Sequence, residues 1–163
     1  MTPTELQTLI RDFYLERLGL LMQHESAARY ISDYDVNNAY QYIIAREETH
    51  VSWLQHALVD MGAPLPPDPA RPDIKPSRKG KDGMLELCAT DGRDNQRFVE
   101  KWRNRVEQVT NARHKGMLRV ILGEMLEHGR LFEQAAQGRT DIIGTALPIN
   151  TRRGQVIATR WIE

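Results

Sequence analysis

GAPLPPDPARPDIKPSRKG, residues 62–80, divides the chain into two halves of similar character. It holds six of the eight prolines of the 163-residue chain. Proline lacks a backbone N–H and clashes with the preceding helical turn, so the stretch favours neither a helix interior nor a central strand. In a polyproline-like conformation its 19 residues would reach roughly 55–60 Å, at about 3.1 Å per residue. A connection of that length predicts a crossover along a whole helical bundle.

Two helices are predicted before the crossover. Thr2-Pro3-Thr4-Glu5 has the sequence of a capping box with proline at the first helical position. Apolar residues then recur with helical spacing, which predicts a first helix over 5–33. A second apolar stripe predicts a helix over 36–61, with Gly62 as its C-terminal cap.

Two more helices are predicted after the crossover, over 94–111 and 115–137, and Gly138 closes the second of them. Residues 81–92 are either an extra turn of helix or the start of the third helix. Two helical hairpins joined by one long crossover describe an all-α four-helix bundle spanning 1–138.

The tail, residues 139–163, contains β-branched residues, glycine and Pro148 without helical periodicity. This composition predicts an extended C-terminal arm. Its apolar residues are expected to anchor it on the bundle or on a second subunit of a homodimer: Ile142, Val156, Ile157 and Trp161.

Overall charge and cysteine content narrow the function classes. Lys plus Arg and Asp plus Glu both total 22, so net charge gives no attraction to nucleic acid or to an anionic membrane. The single cysteine, Cys88, excludes an intrachain disulfide and a CxxC metal knuckle. The first residues, MTPTELQTLIRDF, carry alternating charge and no long apolar run, so we expect neither a signal peptide nor a membrane span there. We therefore expect a cytoplasmic protein whose partner is a small ligand or another protein.

AREETHVSWLQHAL, residues 45–58, places Glu47 and His50 within the apolar stripe of the second helix. Residues three apart share one helical face, so both side chains are expected to point into the core. A buried carboxylate is costly without a cation, and a metal ion would satisfy both side chains. On the first helix Glu25 also falls on an apolar face, about one turn from Glu47 across the hairpin.

The segments ESAARY and REETH, which carry Glu25, Glu47 and His50, resemble the metal-binding segments of the ferritin-like superfamily, in particular the rubrerythrin-like four-helix proteins. The resemblance implies a metal-binding protein, and possible di-iron or di-manganese carboxylate oxidoreductase activity. In the second hairpin GEMLEH supplies His128 and Glu124, but Met125 stands where that family has glutamate, so the second half-site is incomplete. The predicted metal ligands are Glu25, Glu47, His50, Glu124 and His128, for iron or manganese, with zinc as a further possibility.

Two alternatives stay open. DinB-type bundles bind one metal ion through a histidine of the second helix and two later histidines, and the stretch HVSWLQ resembles that second helix. His50, Glu124 and His128 would imitate such a mononuclear site. In the other alternative Glu47 and His50 are metal-free core residues of a helical scaffold. The remaining histidines are expected at the surface or its boundary: His24, His56 and His114.

Overall fold

The computed structural model describes residues 1–139 and 141–144, and this part of the chain forms four α-helices. They are α1 (Pro3–Ala28), α2 (Tyr34–Asp60), α3 (Gly80–Glu107) and α4 (Ala112–Ala136). The main packing partners are α1 with α2 and α3 with α4, while α1 also contacts α3 and α2 contacts α4. The predicted all-α four-helix bundle is confirmed. Within the described residues, none of these helices combines the length and apolar character needed to cross a bilayer.

The first helix begins as predicted and ends earlier. Glu5 N–H donates to Thr2 Oγ1 at 3.2 Å and Thr2 N–H donates to Glu5 Oε2 at 2.6 Å, which completes the capping box. The helix ends at Ala28 and does not reach residue 33. Asp33 instead caps the start of α2, where its carboxylate accepts from Val36 N–H at 3.0 Å. Asp33 caps α2 only in an extended backbone conformation, so it lies outside both helices.

The proline-rich crossover contains no helix or strand over residues 62–79, as predicted, and it returns along α1. Gln7 Nε2 donates to the carbonyl of Met61 at 2.6 Å, so α2 ends beside the start of α1. Near the other end of α1, Ile74 N–H donates to Ser26 Oγ at 2.9 Å. The crossover therefore spans the bundle, and α3 runs antiparallel to α1.

The third helix begins earlier than the predicted 94–111, because residues 81–92 belong to its start, and it also ends earlier, at Glu107. Two glycines of this segment permit close packing. A methyl group at Gly83 would overlap the backbone carbonyl of Arg78 in the crossover. A Cβ at Gly92 would lie 3.4 Å from Phe132 Cβ of α4.

The core consists of two apolar clusters stacked along the bundle axis. The lower cluster joins the first parts of α1 and α4 to the last parts of α2 and α3, and includes Phe13, Leu54 and Trp102. The upper cluster lies at the other end and includes Tyr40, Cys88 and Phe132. Ile142 of the tail is buried in the upper cluster, so this predicted anchor is confirmed. The other three predicted anchors lie outside the described residues: Val156, Ile157 and Trp161.

Candidate functional site

A layer of buried polar side chains separates the two apolar clusters, with at least one residue from every helix. All of its members are at most 1% exposed. We call it the polar layer, and its residues are Arg17, His24, Glu47, His50, Asp91, Asn95 and His128. Burial of so many polar groups is costly unless each meets a partner, so the contacts within the layer decide what it does.

Glu47 lies at the centre of the polar layer and is held by two cationic groups from α1. Arg17 Nη2 lies 2.8 Å from Glu47 Oε1. His24 Nδ1 lies 2.8 Å from Glu47 Oε2 and 3.0 Å from Oε1. Burial alone raises the pKa of Glu47, but the charges of Arg17 and His24 outweigh burial and hold this pKa well below its usual value. Glu47 is therefore an ionised carboxylate in the core.

His24 connects Glu47 to a second buried carboxylate, Asp91 of α3. His24 Nε2 lies 4.0 Å from Asp91 Oδ1, while Asp91 Oδ2 accepts a 2.7 Å hydrogen bond from the Tyr40 hydroxyl. Burial lowers the pKa of His24, but the Glu47 and Asp91 charges more than offset burial, so its pKa is raised. With His24 protonated, the two cations Arg17 and His24 balance the two carboxylates.

His50 and Glu124 meet on the α2/α4 side of the layer, at the edge of the bundle. His50 Nε2 lies 2.9 Å from Glu124 Oε2. Arg46 holds the same carboxylate through two hydrogen bonds, of 2.6 and 2.9 Å. The Glu124 side chain is 23% exposed, so this end of the layer reaches solvent. Burial, together with the Arg17 charge, lowers the pKa of His50 to about 4, so its imidazole is neutral at physiological pH.

His128 lies between Glu47 and His50. Its Nδ1 is 3.7 Å from Glu47 Oε1, which is longer than a hydrogen bond. Its ring lies 6.1 Å from the His50 ring, with the two planes 20° apart. Neither ring nitrogen of His128, nor Nδ1 of His50, has a hydrogen-bond partner among the described residues. Other members of the layer also have buried polar atoms that find no hydrogen-bond partner in the described part of the chain: Arg17, His24 and Asn95. Such atoms are unusual in proteins, and bound water or a bound ion is one explanation for them.

The predicted ligands do not all come together. Glu47, His50, Glu124 and His128 form one continuous set of contacts. Glu25 lies apart from them, because its carboxylate pairs with Arg71 of the crossover at 2.8 Å. In the described part of the chain, no three His, Cys, Asp or Glu side chains already have the arrangement of a metal site. His50 Nε2 and Glu124 instead bond to each other.

His24 corrects the expectation of a surface histidine, since it is fully buried. The turn of α1 before Ala28 directs His24 inwards and Glu25 towards the crossover. Helical spacing places both residues near the core edge, and only the position of the crossover decides between them.

Sequence reasoning missed three members of the layer, although the spacing carried a signal. Arg17 falls four residues after Phe13 and four before Leu21, on the buried face of α1. Asp91 and Asn95 continue the buried positions of α3 in the same way. A charged or amide residue within an apolar stripe indicates a buried polar side chain. This signal is present at Arg17 as much as at Glu47.

Comparisons of the chain with protein-family models, curated proteins and solved structures find no match.

Proposed function

We propose that this protein binds one divalent transition-metal ion through His50, Glu124 and His128, on facing turns of α2 and α4. The observation that carries the proposal is a pair of buried imidazoles on facing helices: His50 Nε2 lies 2.9 Å from the Glu124 carboxylate, and neither ring nitrogen of His128 has a hydrogen-bond partner among the described residues. Neutral imidazole is a common metal ligand, and His50 is neutral because burial lowers its pKa to about 4.

The distance between His50 and Glu124 is somewhat shorter than the distance between two ligands of one ion. His50 Nε2 and Glu124 Oε2 are 2.9 Å apart. Two ligand atoms at about 2.1 Å from a tetrahedral ion are separated by roughly 3.4 Å. A metal ion would therefore replace the hydrogen bond between these two atoms with a small separation of the side chains. Glu124 and His128 are four residues apart, so they share one face of α4.

The Glu124 carboxylate gives the three residues a negative charge at the edge of the bundle, where Arg46 is its counter-ion. A hydrogen bond from Arg46 is the main reason that the pKa of Glu124 lies below its usual value, so its carboxylate is ionised. Its partial exposure provides an entrance on the α2/α4 side. On the α1 side the crossover covers the helix through Ser26 and Glu25.

One metal ion is favoured over the two of the ferritin-like pattern. Glu47, which that pattern makes a ligand, has Arg17 at 2.8 Å as a fully buried counter-ion. Arg46, the counter-ion of Glu124, is 34% exposed and can turn to solvent when a metal ion takes its place. Glu25 is engaged with the crossover. Two imidazoles and one carboxylate suit zinc, iron or manganese and leave further coordination positions open. When bound, such an ion supplies Lewis acidity or, for iron and manganese, oxidation–reduction chemistry at those open positions.

The test is metal binding by the purified full-length chain. We expect about one equivalent of zinc, manganese or iron(II) by elemental analysis after purification without chelator, or by titration calorimetry after loading. His50→Ala and His128→Ala should each abolish binding. His56→Ala is the matched control, since His56 lies on α2 and is exposed. A folded parent protein that takes up none of the three metals, or retention of the metal by both histidine variants, would overturn the proposal.

A second candidate is a metal-free helical scaffold, and the Arg17–Glu47 ion pair favours it. In this case the charge of Glu47 needs no metal, and the polar layer serves to fix the register of the four helices. Buried polar groups have this role in some bundles. Its expected result is a parent protein without metal, together with the loss of a single ordered conformation in Glu47→Leu/Arg17→Leu, whose stability can equal that of the parent because both charges are removed together.

A further inference from the structure

We propose that Glu47 is a positioning residue for His128. In this role its carboxylate keeps the His128 proton on Nδ1, so that Nε2 stays unprotonated and available to a metal ion. The inference rests on the metal site proposed above, and it assigns Glu47 a role other than ligand.

The position of the Glu47 carboxylate is fixed from the α1 side. Arg17 Nη2 contacts Oε1 at 2.8 Å, and His24 Nδ1 contacts Oε2 at the same distance. All three side chains are completely buried, so water does not compete for these contacts. The carboxylate is ionised and its orientation is determined before any metal arrives.

The same carboxylate faces one ring nitrogen of His128. Oε1, the oxygen held by Arg17, lies 3.7 Å from His128 Nδ1. A negative oxygen at this distance attracts an N–H dipole and repels a nitrogen lone pair, and the low dielectric of the core strengthens both effects. The geometry therefore favours a proton on Nδ1 of His128.

The other nitrogen, Nε2, is then the lone-pair nitrogen. It is buried and has no hydrogen-bond partner among the described residues. In many metal sites a carboxylate receives the N–H of a ligating histidine and so selects the nitrogen that binds. Here Glu47 would be that carboxylate and His128 the ligating histidine, while Arg17 and His24 hold Glu47 in place.

Glu47→Gln tests this role because an amide of the same shape also carries an N–H₂ donor. In the metal-free protein, nitrogen NMR shifts of the histidine rings report the tautomer, and His128→Gln assigns the His128 signals by their loss. We expect His128 of the parent to carry its proton on Nδ1, and Glu47→Gln to move it wholly or partly to Nε2. Zinc affinity of Glu47→Gln should fall by about 10- to 100-fold.

Glu47→Asp is the matched control, since it disturbs packing but keeps a carboxylate, and it should retain the Nδ1–H tautomer. If Glu47→Gln does not fold, the tautomer of the parent and of Glu47→Asp still decides the matter. A proton on Nε2 in the parent would overturn the inference, and so would a Glu47→Gln protein with unchanged tautomer and zinc affinity. The tautomer is measured without metal, so the two proposals can fail independently. A parent that binds no zinc would overturn the metal site, whereas the NMR result alone decides whether Glu47 sets the tautomer of His128.

Discussion

Arg17 and Glu47 form an ion pair between two side chains with no exposed surface, and 2.8 Å separates Nη2 from Oε1. This contact joins α1 to α2 at the level where the two apolar clusters meet. The pair accounts for a carboxylate in the middle of an apolar stripe without requiring a metal ligand at that position.

Arg17→Met should reduce stability strongly, because it leaves the Glu47 carboxylate buried with one counter-ion fewer. We expect the free energy of unfolding, measured by urea denaturation, to fall by about 3–5 kcal/mol. The control is Arg97→Met, which removes the exposed ion pair between Arg97 and Asp94 and should cost at most about 1 kcal/mol. Equal losses in the two variants would show that the buried pair has no special importance. If Arg17→Met does not fold, Arg17→Lys, which keeps the charge, is compared with the parent instead.

His50 should make the metal-free protein less stable as the pH falls. Burial lowers its folded-state pKa from 6.5 to about 4. Between these values the unfolded chain binds more protons than the folded one, so protons favour unfolding. The contribution of His50 is fully present above pH 6.5 and is lost towards pH 4, with a total of about 3 kcal/mol. Urea denaturation with chelator should show a shallower dependence on pH in His50→Gln than in the parent, and parallel curves would contradict the prediction.

Cys88 should be nearly inert in the folded protein. Burial raises the pKa of its thiol from 9.0 to about 11, and its side chain is fully enclosed in the upper cluster. This shift reduces the reactive thiolate fraction at pH 8 by about 100-fold. We expect alkylation by iodoacetamide at pH 8 to be at least about 100-fold slower in buffer than in denaturing urea. Similar rates under both conditions would mean that the thiol is accessible in the native state.

Substitution by alanine should change the stability of the protein in opposite directions at two glycines. A methyl group at Gly83 would overlap the Arg78 carbonyl, so Gly83→Ala should cost about 1–3 kcal/mol through strain between α3 and the crossover. A Cβ at Gly123 meets no atom within 4 Å, so Gly123→Ala should stabilise α4 by up to about 1 kcal/mol. Thermal unfolding of both variants measures the difference. Stabilisation by Gly83→Ala would show that the crossover does not pack on α3 as described.

Much of the fold follows from local sequence signals. The capping box at Thr2 and Glu5 and the proline-rich crossover needed no information from distant residues. Their effects are local: a side chain bonds the adjacent backbone, or proline prevents a helical hydrogen bond. The sequence left open whether residues 81–92, which contain Gly83 and Gly92, are an extra turn or the start of the third helix. Glycine weakens a helix locally, and only contact with another element shows what its missing side chain permits.

The sequence by itself determined that Glu47 and His50 face the core, because the helical period places them in the apolar stripe. Only the tertiary structure decided which groups meet them. His24 rather than Glu25 points inwards, and Arg17 becomes the counter-ion of Glu47. Contacts between helices depend on their relative rotation and shift, which the crossover and the packing of both apolar clusters set together. A pattern of 3.6 residues per turn fixes the face of a side chain but not its partner on another helix.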